Sequence, residues 1–271
     1  MIAGTSKSET TRASPKHILA GYICVMVLAE ICLVFVSVAG GALIYATLLA
    51  VMLAHGALGA NDTEASPRVG GSAAVHTTRA VIALSFVPVA RLVTVSMPFE
   101  DRSYVFRSAL IGVPLLAGLV WGAWMVRLPG ISFRPHFMAL ELAVGFLAFP
   151  LAIVGYFILR PESTSSSWTR LVASGVAVSL SALVEEMIYR GFILTALARV
   201  YVWSAPLWSS AVYVVSYLGV RPAGIIALAL VTGLLFSWAV MHTKSLLGVT
   251  LGHSLLNVYL FVVFPASGLR M

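Results

Sequence analysis

The stretch from Ile18 to Leu58 carries a single Asp, Glu, Lys or Arg side chain, Glu30, and similar apolar runs recur to the end of the chain. A helix needs roughly 20 predominantly apolar residues to cross a bilayer. Of the 271 residues, 60% are hydrophobic and only 10% are charged, against about 25% charged in soluble domains. Too few charges exist to cover a water-exposed globular surface, so a soluble fold is excluded. Disorder, collagen and coiled coil fail on the same count. The sequence predicts an all-α polytopic membrane protein, a bundle of about eight or nine transmembrane helices.

The formal charge of +7 is explained by lysines and arginines in loops facing an anionic cytoplasmic leaflet. No basic run interleaved with aromatics occurs, so no nucleic-acid partner is expected. Membrane lipids are. Cys24 and Cys32 lie eight positions apart in one apolar run, about two helical turns, and cannot bridge each other. Neither a metal-ligand spacing nor a cofactor fingerprint is present, so no cofactor and no metal are expected.

Residues 1–17 read as a polar tail. Ile18–Leu58 is too long for a signal peptide and reads as two spans, with Gly40 and Gly41 at the turn. Residues 59–78 form the longest polar loop, and a third helix runs from 79 to 97, stopping at Pro98. Glu100, Asp101 and Arg102 mark a charged loop. Further spans fall near 105–126, 138–159, 169–198, 203–219, 222–241 and 246–264. With the N-terminus inside, ten basic residues fall on the inner side and six on the outer. That bias favours a cytoplasmic N-terminus in a multi-pass protein of the cell membrane.

Ionisable groups within spans are costly and are functional candidates by default. Glu30, Arg91, Glu141, Glu185, Glu186, Arg190 and His253 qualify. Arg91 can snorkel from its helix end or sit in a structural ion pair, and Glu30 and Glu141 read as packed, hydrogen-bonded acids. Glu185 and Glu186 are adjacent and diverge by about 100° on a helix. Glu186 and Arg190 stand at i,i+4 and can pair directly, leaving Glu185 aimed elsewhere. Burial would favour its protonated form and Arg190 its carboxylate, a balance suited to accepting a proton from water. An interfacial charge cluster capping the helix near Arg199 is the alternative. His253 and Asn257 are also i,i+4. They could stabilise an oxyanion or act as polar glue between helices.

Taken together, Glu185-Glu186-x-x-x-Arg190-Gly191 and, some sixty residues later, His253-x-x-x-Asn257 resemble the CPBP family. This family comprises the type II CAAX prenyl proteases and the bacteriocin-processing or Abi proteins. The flanking Gly191-Phe192-Ile193-Leu194 and Gly248-Val249-Thr250-Leu251-Gly252 agree. The resemblance divides the chain into the tail 1–17, N-terminal transmembrane helices 18–137, a CPBP/Abi-like core 138–265 and a short tail 266–271. It implies a glutamate-dependent intramembrane endopeptidase acting on a peptide or protein. Glu185 would activate water, Glu186 and Arg190 would support it, and His253 and Asn257 would stabilise the oxyanion. No His-Glu-x-x-His zinc pattern occurs.

The family's middle motif is Phe-x-x-x-His. Here Tyr213 stands for the phenylalanine, read as a harmless exchange, and Tyr217 for the histidine. A phenol, which ionises only near pH 10, can donate a hydrogen bond to Glu185 but is a poor base at neutrality. His242 does not rescue the pattern, since Phe236 precedes it by six residues. The site is either a variant catalyst or a retained scaffold without activity. In the second case the protein is a structural or assembly subunit whose partner is another membrane protein. A small-solute transporter using Glu30, Arg91 and Glu141 ranks last, because the internal repeat common in such folds is missing.

Overall fold

The structure, a computed structural model, describes residues 14–65, 71–96, 110, 112–120, 132–135, 137–161, 167–218 and 223–267. These are helical almost throughout, with no strand among the described residues. Helices α1 (Pro15–Phe35), α2 (Val38–Ala65), α3 (Gly71–Leu84) and α4 (Phe86–Ser96) make up the N-terminal part. A short helix, α5, covers 112–120. Then come α6 (Met138–Leu159), α7 (Trp168–Glu186), α8 (Leu194–Tyr201), α9 (Ala205–Leu218), α10 (Ala223–Thr243), α11 (Leu247–Val258) and α12 (Phe264–Ala266). Without water in the hydrocarbon, helices satisfy every backbone donor and acceptor internally.

Seven stretches among the described residues are long and apolar enough to cross a bilayer: Pro15–Phe35, Val38–Gly59, Ala73–Ser96, Met138–Leu159, Trp168–Tyr201, Ala223–Thr243 and Leu247–Ala266. The protein is an integral membrane protein. The expected span 203–219 appears as α9, whose 14 residues reach about 21 Å, short of a 30 Å hydrocarbon core. Most of the expected 105–126 span lies outside the described residues, as do the loop Glu100–Arg102 and residues 1–13.

Three boundaries differ from expectation. The α1–α2 turn falls at Val36 and Ser37, not at the glycines. Gly40 and Gly41 sit in the first turn of α2, where a Cβ on Gly41 would collide with the Leu33 side chain. Their work is close helix packing. The polar stretch 59–78 is largely helical, because α2 continues to Ala65 and α3 starts at Gly71. Finally, the third span is broken at Ser85. Pro88 lacks an N–H and its ring displaces the carbonyl four residues back, at Leu84. Ser85 Oγ donates to the Ile82 carbonyl at 2.7 Å and so satisfies an acceptor beside the break.

That break carries Arg91 to Glu30. The guanidinium Nε donates to Glu30 Oε1, and Nη2 donates to Oε2 at 2.9 Å. Tyr45 donates to Oε1 at 2.6 Å. Arg91 is thus the structural ion pair, joining α1, α2 and α4, and it does not snorkel. One hydrophobic cluster, from Leu19 in α1 to Val249 in α11, runs through both halves of the chain.

Helix α11 lies against α6 through Gly248 and Gly252, a small-xxx-small pair that brings backbones together. A Cβ on Gly248 would stand 2.7 Å from Glu141 Cα, and one on Gly252 would be 3.1 Å from the Val144 carbonyl oxygen. Glu141 is therefore packed under α11. Because the obstacle is backbone, Gly248→Ala must push the helices apart. It is expected to cost about 1–3 kcal/mol, seen as a lower unfolding temperature of the purified protein in detergent.

Candidate active site

Both motif helices change pitch at their motifs, the first within it and the second just past Asn257. Helix α7 ends at Glu186 and continues as a π turn, Met187–Ile193, before α8. Helix α11 passes into a second π turn, Tyr259–Val263. A π turn widens the helix and is frequent at functional sites. The first one is wholly buried. Its carbonyls find extra donors: Ser209 Oγ reaches the Tyr189 oxygen at 2.8 Å and Thr195 Oγ1 the Arg190 oxygen at 3.4 Å.

The two glutamates diverge as neighbours on a helix must. Glu186 turns inward and is fully buried, as is Arg190. Arg190 Nη1 donates to Glu186 Oε1 at 3.1 Å, and the same oxygen lies 2.8 Å from His253 Nδ1. Since that oxygen already accepts from a guanidinium, Nδ1 carries the proton and donates. The contact joins α7 to α11 across 67 residues. Arg190 also lies over the Tyr213 ring, its central carbon 4.3 Å from the centroid, with the Phe236 ring at 5.8 Å. Aromatic faces hold a desolvated cation well, and they cover a guanidinium whose Nε and Nη2 have no hydrogen-bond partner among the described residues.

Glu185 points the other way. Its Oε2 accepts from Tyr217 at 2.7 Å and Tyr213 at 3.2 Å, while Ser181 Oγ lies 3.4 Å from Oε1. His253 Nε2 stands 4.0 Å from Glu185 Oε2. The Glu185 side chain keeps 24% of its surface exposed, against none for Glu186. It is the accessible acid of the pair. Both glutamates fall midway along the 34-residue span Trp168–Tyr201, well inside the bundle and not at a helix end near Arg199.

The structure thus gathers Glu185, Glu186, Arg190, Tyr217 and His253. Asn257 is buried one turn beyond His253 on α11, and its side chain makes no hydrogen bond among the described residues. Glu30 and Arg91 pair elsewhere, and Glu141 lies at the start of α6. Sequence reasoning missed three contributors. Tyr213 is no harmless stand-in for phenylalanine, because its hydroxyl reaches Glu185 and its face covers Arg190. Ser181 and Phe236 were also passed over. Ser181 was visible as the i−4 neighbour of Glu185; Phe236 carried no local signal.

Fold and site together define a polytopic helical membrane protein with a carboxylate–histidine–arginine cluster enclosed between its C-terminal spans. Residues 164–259 match the model of the family described as Type II CAAX prenyl endopeptidase Rce1-like. Over that segment the CPBP resemblance of the two motifs holds, and the segment encloses α7, both glutamates, the tyrosine pair, His253 and Asn257. No curated protein and no solved structure matches the chain.

Proposed function

We propose that this protein is an intramembrane endopeptidase whose general base is Glu185. The observation that carries the proposal is a partly exposed carboxylate 4.0 Å from His253 Nε2 in an otherwise closed cluster, within reach of one water bridging both groups. The water oxygen attacks the peptide carbonyl carbon while its proton passes to Glu185. The carbonyl oxygen becomes an oxyanion, stabilised by His253 and Asn257. Glu186 holds Nδ1, so Nε2 is the ring nitrogen left to face that oxyanion. The C–N bond then breaks, and the proton held by Glu185 goes to the leaving amine.

Glu186 and Arg190 support His253 and keep its ring oriented. The substrate class is a peptide segment of a membrane-bound or lipid-modified protein, by the name of the matched family. Arg190 is buried and leaves the loop tally, which becomes nine inner basic residues against six outer. That still favours an N-terminus in the cytoplasm. Residues 138–265 form the catalytic unit, with the preceding helices holding it in the bilayer. Profiling new peptide termini in membranes expressing the parent or Glu185→Ala tests the activity: termini present only with the parent are expected, and identical profiles would overturn it.

A second reading has its own observation. Tyr213 and Tyr217 both donate to Glu185 Oε2, which suits a scaffold that keeps the fold for assembly without hydrolysis. Tyr217→His separates the two. An imidazole can share the proton of the attacking water, so the exchange is expected to raise cleavage at least about 10-fold. Turnover of an internally quenched peptide carrying a farnesylated cysteine measures it. A variant as silent as its parent would favour the scaffold.

A further inference from the structure

Tyr213 touches both carboxylate systems at once. It is 3% exposed; its hydroxyl donates to Glu185 Oε2 at 3.2 Å and lies 3.2 Å from the Tyr217 hydroxyl. Its ring face lies against Arg190 at 4.3 Å, the cation bound to Glu186, which in turn holds His253. Its ring also meets Tyr217 and Tyr189 edge-to-face, at centroid distances of 5.1 and 4.9 Å. Tyr189 is fixed in turn by Ser216 at 2.7 Å. Helix α9 packs on α10 here, where a Cβ on Gly233 would stand 3.3 Å from Ser210 Cβ and 3.4 Å from Tyr213 Cδ1.

We propose that Tyr213 is a positioning residue that couples Glu185 to the Glu186–Arg190–His253 group, its hydroxyl fixing the Glu185 carboxylate and its ring fixing the guanidinium. The two functions divide cleanly between parts of one side chain. A phenylalanine would retain the ring against Arg190 and lose the hydroxyl. With Tyr217 alone as phenolic donor, Glu185 keeps one hydrogen bond on Oε2 beside the longer 3.4 Å one from Ser181 on Oε1, and gains freedom to pivot. The second donor removes that freedom, as a preorganised site requires. For catalysis this inference rests on Glu185 as the base; as a statement about the Glu185 carboxylate it stands independently.

Tyr213→Phe and Tyr213→Leu test it in purified protein. Subtracting the infrared spectrum of Glu185→Gln from that of the parent isolates the Glu185 carboxylate bands. Tyr213→Phe is expected to shift those bands while the unfolding temperature stays within a few degrees of the parent. Tyr213→Leu is expected to shift them and also to unfold at lower temperature, having lost the cover over Arg190. Unmoved bands in Tyr213→Phe would overturn the proposal. On the quenched farnesylated peptide, Tyr213→Phe is expected to lower kcat about 10-fold with KM unchanged. An unchanged kcat where Glu185→Gln abolishes cleavage would overturn the positioning role and leave the peptidase reading standing. If Glu185→Gln cleaves as fast as its parent, the peptidase reading fails, and the infrared bands alone decide the inference.

Discussion

Glu185→Gln is expected to lower peptide cleavage by about 10²–10⁴-fold, the range a positioned general base contributes, with little change in the unfolding temperature. Glutamine matches glutamate in size and keeps an acceptor oxygen for the hydroxyls of Tyr213 and Tyr217, so the local packing survives. It cannot take a proton from water. A fall in kcat with KM preserved would locate the loss in the chemical step. Because the Glu185 side chain is partly exposed while Glu186 is shut in, the neighbouring exchange should behave differently. Glu186→Gln weakens a fully buried contact to Arg190 and His253 and is expected to lower stability as well as turnover. Equal rates for Glu185→Gln and its parent, measured on the quenched peptide, would end the case for Glu185 as base.

The other large effect is expected at the second buried charge cluster, outside the proposed catalytic group. Arg91→Met leaves Glu30 buried with its two guanidinium bonds gone and only Tyr45 as a polar partner. Orphaning one member of a buried ion pair costs about 3–5 kcal/mol. Removing both charges is a milder change, since no uncompensated ion remains. Thermal unfolding in detergent should therefore place Arg91→Met lowest, with the double variant Glu30→Leu/Arg91→Met above it. If the double variant unfolds lower than Arg91→Met alone, the pair is stabilising beyond mutual neutralisation. The peptidase reading is indifferent to either result.

Much of this fold was legible because lipid imposes so few options. The spans at 138–159, 169–198, 222–241 and 246–264 each lie within a few residues of a helix in the structure. Hydropathy misplaced the turn at Gly40 and Gly41, since glycine marks both loops and tight crossings, and only packing distinguishes them. It also missed the helical extension over 59–78, where polar residues continue helices beyond the apolar stretch. At the site, the i,i+4 spacing made the Glu186–Arg190 contact readable from local geometry alone. The contact of Glu186 with His253 was not, because it spans 67 residues and depends on how α11 settles against α7. Nor was the reach of the Tyr213 hydroxyl to Glu185, which depends on the approach of α9. A substitution judged by shape alone hid a hydrogen bond.

The two buried charge clusters differ in a way that bears on what each can do. Glu30 and Arg91 match one carboxylate to one guanidinium through two hydrogen bonds, and both are buried. Glu185, Glu186 and Arg190 set two carboxyl groups against one guanidinium, which bonds only Glu186. His253 lies between the acids, with Nδ1 on Glu186 and Nε2 facing Glu185. One cluster is a closed bolt; the other holds a carboxylate with no guanidinium of its own, and the difference comes down to a single extra acid.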